Sequence, residues 1–161
     1  MKRAVFAGSF SPVHNGHLDV INRACDIFDE VIFAVTQNKN KRSSVSIEKR
    51  KYILEQACKS LPKVKVMSFN GTLADFCKQN NVDCIIKSVR NVVDFEYEYE
   101  MATINKDIFG VETLFMFSSP KYKHLSSSLV REFIQYNKDI SSFVPDDIKE
   151  IIKEVYYVSK V

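Results

Sequence analysis

The sequence predicts an α/β protein with a Rossmann-like, doubly wound sheet of five parallel strands and helices on both faces. Short apolar runs alternate with segments of helical periodicity along the whole chain, and this alternation is typical of βαβ units with right-handed connections. The predicted strand order is 3-2-1-4-5. In sheets of this kind, ligands bind where the strand order reverses, which here lies between the first and fourth strands.

Five apolar runs are predicted as strands. In chain order they cover residues 4–7, 31–36, 64–69, 83–87 and 113–117. The runs at 4–7 and 31–36 are continuously apolar, which indicates burial on both faces. The run at 64–69 is short and alternates apolar with polar residues, as expected near an edge of the sheet.

Six helices are predicted between and after the strands. They cover residues 17–28, a segment that begins at Ser46, residues 72–80 and 95–108, and two closing helices from about Ser126 and from Pro145. Ser46 is a suitable N-cap, and proline fits the first helical position. Because no linker or repeat interrupts the pattern, residues 1–161 are predicted to form a single domain.

The composition is that of a globular chain with no sign of membrane or nucleic-acid binding. A hydrophobic content of 45% with only four glycines and four prolines excludes the low-complexity classes. The net charge of +3 suits small anionic ligands and does not by itself indicate nucleic-acid binding. No stretch approaches the ~20 apolar residues of a membrane span. The first apolar run breaks at Gly8, too early for a signal peptide.

The cysteines point to a structural role and a reducing environment. The four cysteines, Cys25, Cys58, Cys77 and Cys84, form no CxxC pair, and each lies within an apolar pattern. We therefore predict buried, reduced thiols without a catalytic role. Reduced thiols are typical of a reducing compartment, so a cytoplasmic location is expected.

The strongest functional signal lies between the first strand and the first helix. The strand stops at Gly8-Ser9, and the sequence HNGH at 14–17 opens the following helix. His14 and His17 share one face of a helix start, where outward-pointing N–H groups and the helix dipole favour an anion. This arrangement predicts a phosphate site. A chance match is one alternative, and a zinc pair is another, although no Cys, Asp or Glu lies close by in ligand spacing.

Three further polar clusters follow predicted strands at the same edge of the sheet. Residues 39–42 (KNKR) follow the second strand, residues 87–90 (KSVR) end the fourth, and residues 121–131 (KYKHLSSSLVR) follow the fifth. Their cations, their hydroxyls and the N–H groups at a helix start suit polyphosphate oxygens. Plainer alternatives are a solvated charge run at 39–42 and N-capping by a single serine at 126.

Taken in order, these motifs resemble those of the nucleotidylyltransferase superfamily with its HxGH and ISSSxxR signatures. With the segment DFEYE at 94–98, nearly the whole chain resembles the bacterial phosphopantetheine adenylyltransferases. The resemblance implies transfer of AMP from ATP to 4′-phosphopantetheine, giving dephospho-coenzyme A and pyrophosphate. It also implies Mg²⁺ as the cofactor, with no protein ligand of the metal assigned, and assembly as a homohexamer.

The resemblance also implies roles for individual residues. His17 would stabilise the transition state, and Lys41 would reach the reacting phosphate. The residues implied to bind the acceptor are Ser9, Lys41, Leu73, Lys87, Met101 and Asn105. Those implied to bind ATP are Ser9, Phe10, His17, Ser88, Val89, Arg90, Glu98, Tyr122, Lys123, His124, Leu125, Ser126, Ser127 and Ser128.

Four positions depart from the common family pattern. Ala7 stands for a frequent proline, Ser11 for an aspartate, Lys87 for an arginine and Leu125 for an isoleucine. The changes at 7 and 125 affect packing only. Ser11 removes a carboxylate near the site, and Lys87 keeps the positive charge but loses the bidentate fork of arginine.

Two other functions remain open on the sequence. A related transferase could use nicotinamide mononucleotide or glycerol phosphate as its acceptor, although the apolar Leu73 and Met101 suit a pantetheine arm better. A flavodoxin-like module could bind a nucleotide without catalysis. No acidic phosphoacceptor cluster follows the first strand, and three basic motifs converge, so the sequence favours an enzyme.

Overall fold

One parallel sheet and six α-helices make up the computed structural model, which describes residues 1–36 and 45–158. The strands are β1 (Arg3–Gly8), β2 (Glu30–Thr36), β3 (Val64–Phe69), β4 (Cys84–Val89) and β5 (Glu112–Phe117). The helices are α1 (Asn15–Ile27), α2 (Ile47–Ala57), α3 (Leu73–Gln79), α4 (Val92–Phe109), α5 (Ser127–Gln135) and α6 (Asp146–Val158). The strand order β3-β2-β1-β4-β5, with every pair parallel, confirms the predicted sheet. Within the described ranges, no helix is long and apolar enough to cross a bilayer.

Helix ends are set by their caps, and the caps explain where the predicted bounds were wrong. Ser46 and Ser126 are N-caps as predicted, each accepting a backbone N–H three residues on. Helix α1 begins two residues early because the extended His14 is its N-cap, and α4 begins three residues early because Asn91 caps it. Pro145 lies just before α6 rather than within its first turn.

Two apolar clusters fill the two faces of the sheet. Since neighbouring residues of a strand point to opposite faces, Phe6 and Phe33 belong to the larger cluster, together with side chains of α1, α2, α5 and α6. Val5 and Ile32 belong to the smaller cluster, under α3. Burial of each of these large side chains stabilises the fold by about 1.5–3 kcal/mol. The sheet is thereby held rigid beneath the loops that follow its strands.

The register of the central strands brings two chemically important segments together. β1 pairs with β2 on one side and with β4 on the other. The residues that follow Gly8 therefore lie beside the end of β4, where Lys87, Ser88 and Arg90 lie. Ser118, just after β5, donates its backbone N–H to the Val89 carbonyl at 3.0 Å and extends this edge to the fifth strand.

Candidate active site

A cavity of about 740 Å³ lies at the carboxyl end of the sheet, between β1 and β4. Its wall is formed by the turn after β1, the starts of α1, α4 and α5, and the end of β4. This is the place where the strand order reverses. The volume falls within the range of about 300–1,000 Å³ typical of small-molecule sites.

Most of the residues predicted for the site line this cavity. They are Ser9, Phe10, His17, Lys87, Ser88, Arg90, Glu98, Tyr122, Leu125, Ser126, Ser127 and Ser128. Those that lie off its wall are Leu73, Val89, Met101, Asn105, Lys123 and His124. Lys41, with the rest of the cluster at 39–42, lies outside the described residues. The functional roles of all these residues remain predictions.

The predicted acceptor residues off the wall lie farther along α3 and α4. Met101 and Asn105 follow Glu98 by three and seven residues on α4, which places them about one and two helical turns from the cavity. Leu73, at the start of α3, packs against the smaller apolar cluster. An acceptor would need an extended arm to reach these residues from the cavity.

His14 and His17 form a stacked pair at the start of α1. Their ring centroids lie 3.6 Å apart, and Nδ1 of His17 accepts the backbone N–H of His14 at 3.2 Å. Nε2 of the neutral His17 ring therefore carries the proton and is a hydrogen-bond donor. Burial, reinforced by His14 and Arg90, holds the pKa of His17 well below its usual value. Burial and Arg90 lower the pKa of His14 to about 4, so both rings are uncharged at neutral pH.

Two cations of the KSVR motif are held in ion pairs with α4. Lys87 Nζ lies 2.9 Å from Glu98 Oε2, and Arg90 Nε lies 2.9 Å from Asp94 Oδ2. Arg90 Nη1 also donates to the Leu125 carbonyl at 3.2 Å. An incoming phosphate would compete with carboxylates that already position these cations.

The cavity wall carries an excess of positive charge. Among the described residues of the wall, four side chains are cationic (Arg50, Lys87, Arg90 and Arg131) and two are carboxylates (Asp94 and Glu98), an excess of two positive charges. Arg131 donates to the Ser11 carbonyl and to Ser128 Oγ. A cationic, partly enclosed surface of this kind attracts polyphosphate anions.

The three serines at the start of α5 each have a defined contact. Ser126 Oγ accepts the Leu129 N–H at 3.1 Å and caps the helix, whereas Ser127 Oγ donates to the Pro12 carbonyl at 2.8 Å. Ser128 Oγ accepts from Arg131 at 3.0 Å. Ser126 is thus the single capping serine of the plainer alternative, and the predicted phosphate contacts of all three serines remain predictions. Ser127 and Ser128 join α5 to the turn after β1 and to Arg131.

The donor groups on the wall do not form a metal site of their own. Among the residues that the structure describes, no group of three or more His, Cys, Asp or Glu could hold a metal ion. Glu98 and Asp94 are engaged by Lys87 and Arg90. A Mg²⁺ ion at this wall would have to be held mainly by nucleotide phosphates and water, since Mg²⁺ usually retains several waters.

The sequence analysis missed several site residues as individual contributors. Among them, Arg50, Arg131 and Ser118 line the cavity. Arg50 had a detectable signal, because it shares the apolar face of α2 with Ile53 and Leu54. A lone arginine within an apolar stripe indicates a buried cation with specific partners.

The fold and the cavity agree with what comparison with known proteins finds. Residues 5–133, most of the chain, match the family described as cytidylyltransferase-like. A crystal structure from Vibrio parahaemolyticus, provisionally assigned as a nicotinate-nucleotide adenylyltransferase, has the same fold with a TM-score of 0.66. The match covers 94% of this chain and 99% of that chain, at 19% sequence identity.

Closer relatives define the family more narrowly. The phosphopantetheine adenylyltransferase of Thermobifida fusca (strain YX) is 45% identical over 156 residues, which cover 97% of this chain and 95% of the relative. That of Caldanaerobacter subterraneus subsp. tengcongensis is 45% identical over 157 residues, covering 97% and 98%. The chain belongs to the phosphopantetheine adenylyltransferase family of nucleotidyltransferases. This confirms the resemblance that its motifs indicate.

Proposed function

We propose that this enzyme transfers the adenylyl group of ATP to 4′-phosphopantetheine, forming dephospho-coenzyme A and pyrophosphate. One observation carries the proposal: Ser9, His17, Lys87, Arg90 and the start of α5 surround a single cationic cavity. The near full-length match to relatives that bear this name supports the choice of acceptor.

The proposed reaction is an in-line displacement at the α-phosphorus of ATP. A phosphate oxygen of the acceptor forms the new P–O bond, the bond to the bridging oxygen breaks, and pyrophosphate leaves with the electron pair. The attacking oxygen is already an anion, so no general base is needed. Alignment of the two substrates and stabilisation of the charge that develops would therefore supply the catalysis.

The residues of the cavity suit these tasks. His17 offers a neutral N–H donor to an α-phosphate oxygen, and Lys41 is proposed as its cationic partner. Lys87 would neutralise the phosphate of the acceptor, while Arg90 and the N–H groups at the start of α5 would hold the departing pyrophosphate. Mg²⁺, when bound to ATP, would reduce the charge on its phosphates.

Pyrophosphate release from ATP, with and without 4′-phosphopantetheine, tests the proposed function. We expect release that depends on this acceptor and the appearance of dephospho-coenzyme A by mass spectrometry. Nicotinamide mononucleotide and glycerol phosphate, the latter with CTP, serve as the competing acceptors. Faster release with either of them would identify a related transferase. ATP binding without release in any mixture would identify a binding module.

The cysteines take no part in this mechanism. All four are free thiols off the cavity wall, but only Cys58 and Cys77 are fully buried, so the prediction of four buried thiols was wrong for Cys25 and Cys84. Burial raises the pKa of Cys58 to about 12 and that of Cys77 to about 11. Thiols with such pKa values are protonated at neutral pH and are poor nucleophiles.

Replacement of each cysteine by alanine should leave kcat within about twofold of the wild type. The melting temperature should fall more for Cys58→Ala and Cys77→Ala than for Cys25→Ala and Cys84→Ala, because only the first two create enclosed cavities. Steady-state kinetics and thermal melting of the four variants measure both effects. A well-folded variant without activity would indicate a covalent intermediate and overturn direct transfer.

An apolar surface on α4 supports the proposed assembly into a homohexamer. Helix α4 buries only Asn105 within the chain. The side chains of Val92, Ile104 and Ile108 are 70%, 43% and 68% exposed, and Phe117 at the end of β5 is 73% exposed. Apolar surface of this extent usually marks a protein–protein interface. We propose that other copies of the chain cover it.

The double variant Ile104→Glu/Ile108→Glu should lower the molar mass in solution. The two positions lie one turn apart on the same face of α4, so two carboxylates there would oppose burial of the interface. Light scattering after size exclusion should show a hexamer of the 18.6 kDa chain for the wild type and smaller species for the variant. Ile27→Glu, at a 56% exposed position on α1, is the matched control. A monomeric wild type, or a variant of unchanged mass, would rule out this interface.

A further inference from the structure

Among the residues that the structure describes, Arg50 is the largest fully buried side chain, with 2% of its surface exposed. It lies near the start of α2, on the apolar face of that helix with Ile53 and Leu54. A charged guanidinium is costly in such surroundings unless its N–H groups find acceptors. Because Arg50 also lines the cavity, its small exposed part faces the predicted site.

The guanidinium of Arg50 is held by three backbone carbonyl groups. Nη1 donates to the Ser9 carbonyl at 2.5 Å and to the Thr36 carbonyl at 3.1 Å, and Nε donates to the Val45 carbonyl at 3.2 Å. Ser9 follows β1, Thr36 ends β2, and Val45 precedes the cap of α2. One side chain therefore joins three separate segments of the chain.

The bond to Ser9 fixes a strained part of the turn. Phe10, the next residue, has a φ of 42°, in the left-handed region that non-glycine residues rarely adopt. In a trans peptide the carbonyl and the N–H point in opposite directions. Since the Ser9 carbonyl points at Arg50, the Phe10 N–H points away from it. Arg50 thus sets the plane of this peptide.

The same contacts have an electrostatic consequence for an anionic ligand. The Ser9 carbonyl belongs to the cavity wall, and its negative end would repel a polyphosphate. The guanidinium that binds this carbonyl remains protonated, although burial lowers its pKa. Arg50 therefore offsets the negative end of this carbonyl dipole at the cavity wall.

We propose that Arg50 is a positioning residue for the adenylyl-transfer site. It fixes the Ser9–Phe10 peptide of the cavity wall and binds the Ser9 carbonyl, whose negative end would otherwise repel a bound phosphate. The inference rests on the proposed function for the identity of the ligand. Arg50 acts through the backbone and is not itself placed on the reacting atoms.

Two substitutions separate the effect of the positive charge of Arg50 from that of its hydrogen-bonding geometry. Arg50→Met keeps the apolar stem and removes the charge, so it should weaken ATP binding in calorimetry about tenfold or more. Arg50→Lys keeps the charge but not the fork that reaches three carbonyls. It should regain most of the affinity for ATP, while kcat stays about tenfold or more below the wild type.

Arg3 offers a matched control at the opposite end of β1. It is part-buried and likewise joins separate segments, donating to the Asn80 carbonyl and to Glu30. Arg3→Met should lower the melting temperature while leaving the Kd for ATP and the KM for both substrates unchanged. If Arg50→Met behaves in the same way, Arg50 is only structural and the proposal is wrong.

The proposed function is tested separately by pyrophosphate release from the wild type. If no release occurs with 4′-phosphopantetheine, binding of ATP and of tripolyphosphate to the Arg50 variants still tests the positioning role. A wild type that binds neither ligand would overturn the anion site and the role of Arg50 together.

Discussion

His17→Ala should lower kcat about 100-fold or more, the scale of one lost donor to a developing charge, while the Kd for ATP changes only about threefold or less. This expectation rests on the protonation state of the His17 imidazole. Nδ1 is occupied by the His14 N–H, so Nε2–H is the donor, and the lowered pKa keeps the imidazole neutral. A neutral donor adds little to the ground-state attraction of a polyanion but aligns with charge that grows at the transition state.

A second substitution at the same position sharpens this test. Glutamine places an amide N–H close to where Nε2–H of histidine lies, so His17→Gln should retain more activity than His17→Ala. Tyr136→Ala, at an exposed position off the cavity wall, should behave as the wild type. Steady-state kinetics give kcat, and calorimetry gives the Kd for ATP. A near-normal kcat with a large loss of ATP affinity in His17→Ala would contradict the role of His17 in stabilising the transition state.

The strands were predicted well because their signal is local. A continuous apolar run of only six residues, such as 31–36, favours a strand buried on both faces of a sheet. Helix starts were predicted less well. Histidine at position 14 is an unusual N-cap, and the β-branched pair Val92-Val93 does not favour a helix start, so both helices begin earlier than the apolar spacing indicates.

The residues around the cavity also divide into those that could be placed from the sequence and those that could not. Ser9, His17, Lys87 and Arg90 could be placed together from sequence because each follows or ends a strand at one edge of the sheet. Arg131 could not be placed individually, because its partner, the Ser11 carbonyl, lies 120 residues away. No local pattern encodes a contact with a distant backbone carbonyl.

The ion pair between Lys87 and Glu98 could not be predicted from the sequence either. Lys87 and Glu98 were predicted to face different substrates, one the acceptor and the other the nucleotide. The structure joins them at 2.9 Å, with about a fifth of each side chain exposed. The two halves of the proposed site therefore share a charge pair, and a ligand at one half alters the partner available to the other.

Lys87→Ala should raise the KM for 4′-phosphopantetheine about tenfold or more, and far more than the KM for ATP, because it removes the cation on the acceptor side. Arg90→Ala should show the reverse bias. Lys87→Arg should be tolerated, since the guanidinium retains the charge and adds a bidentate fork. Steady-state kinetics with each substrate varied in turn measure all three effects.

The ion pair with Glu98 requires a control, because Lys87→Ala leaves a part-buried carboxylate without its cation. Any rise in the KM for ATP caused by that orphaned charge should disappear in Lys87→Ala/Glu98→Gln, whereas the rise in the KM for the acceptor should persist. This difference separates loss of the acceptor's cation from disturbance of the nucleotide half. If Lys87→Ala weakens ATP and leaves 4′-phosphopantetheine untouched in both backgrounds, the two halves of the cavity have been assigned to the wrong substrates.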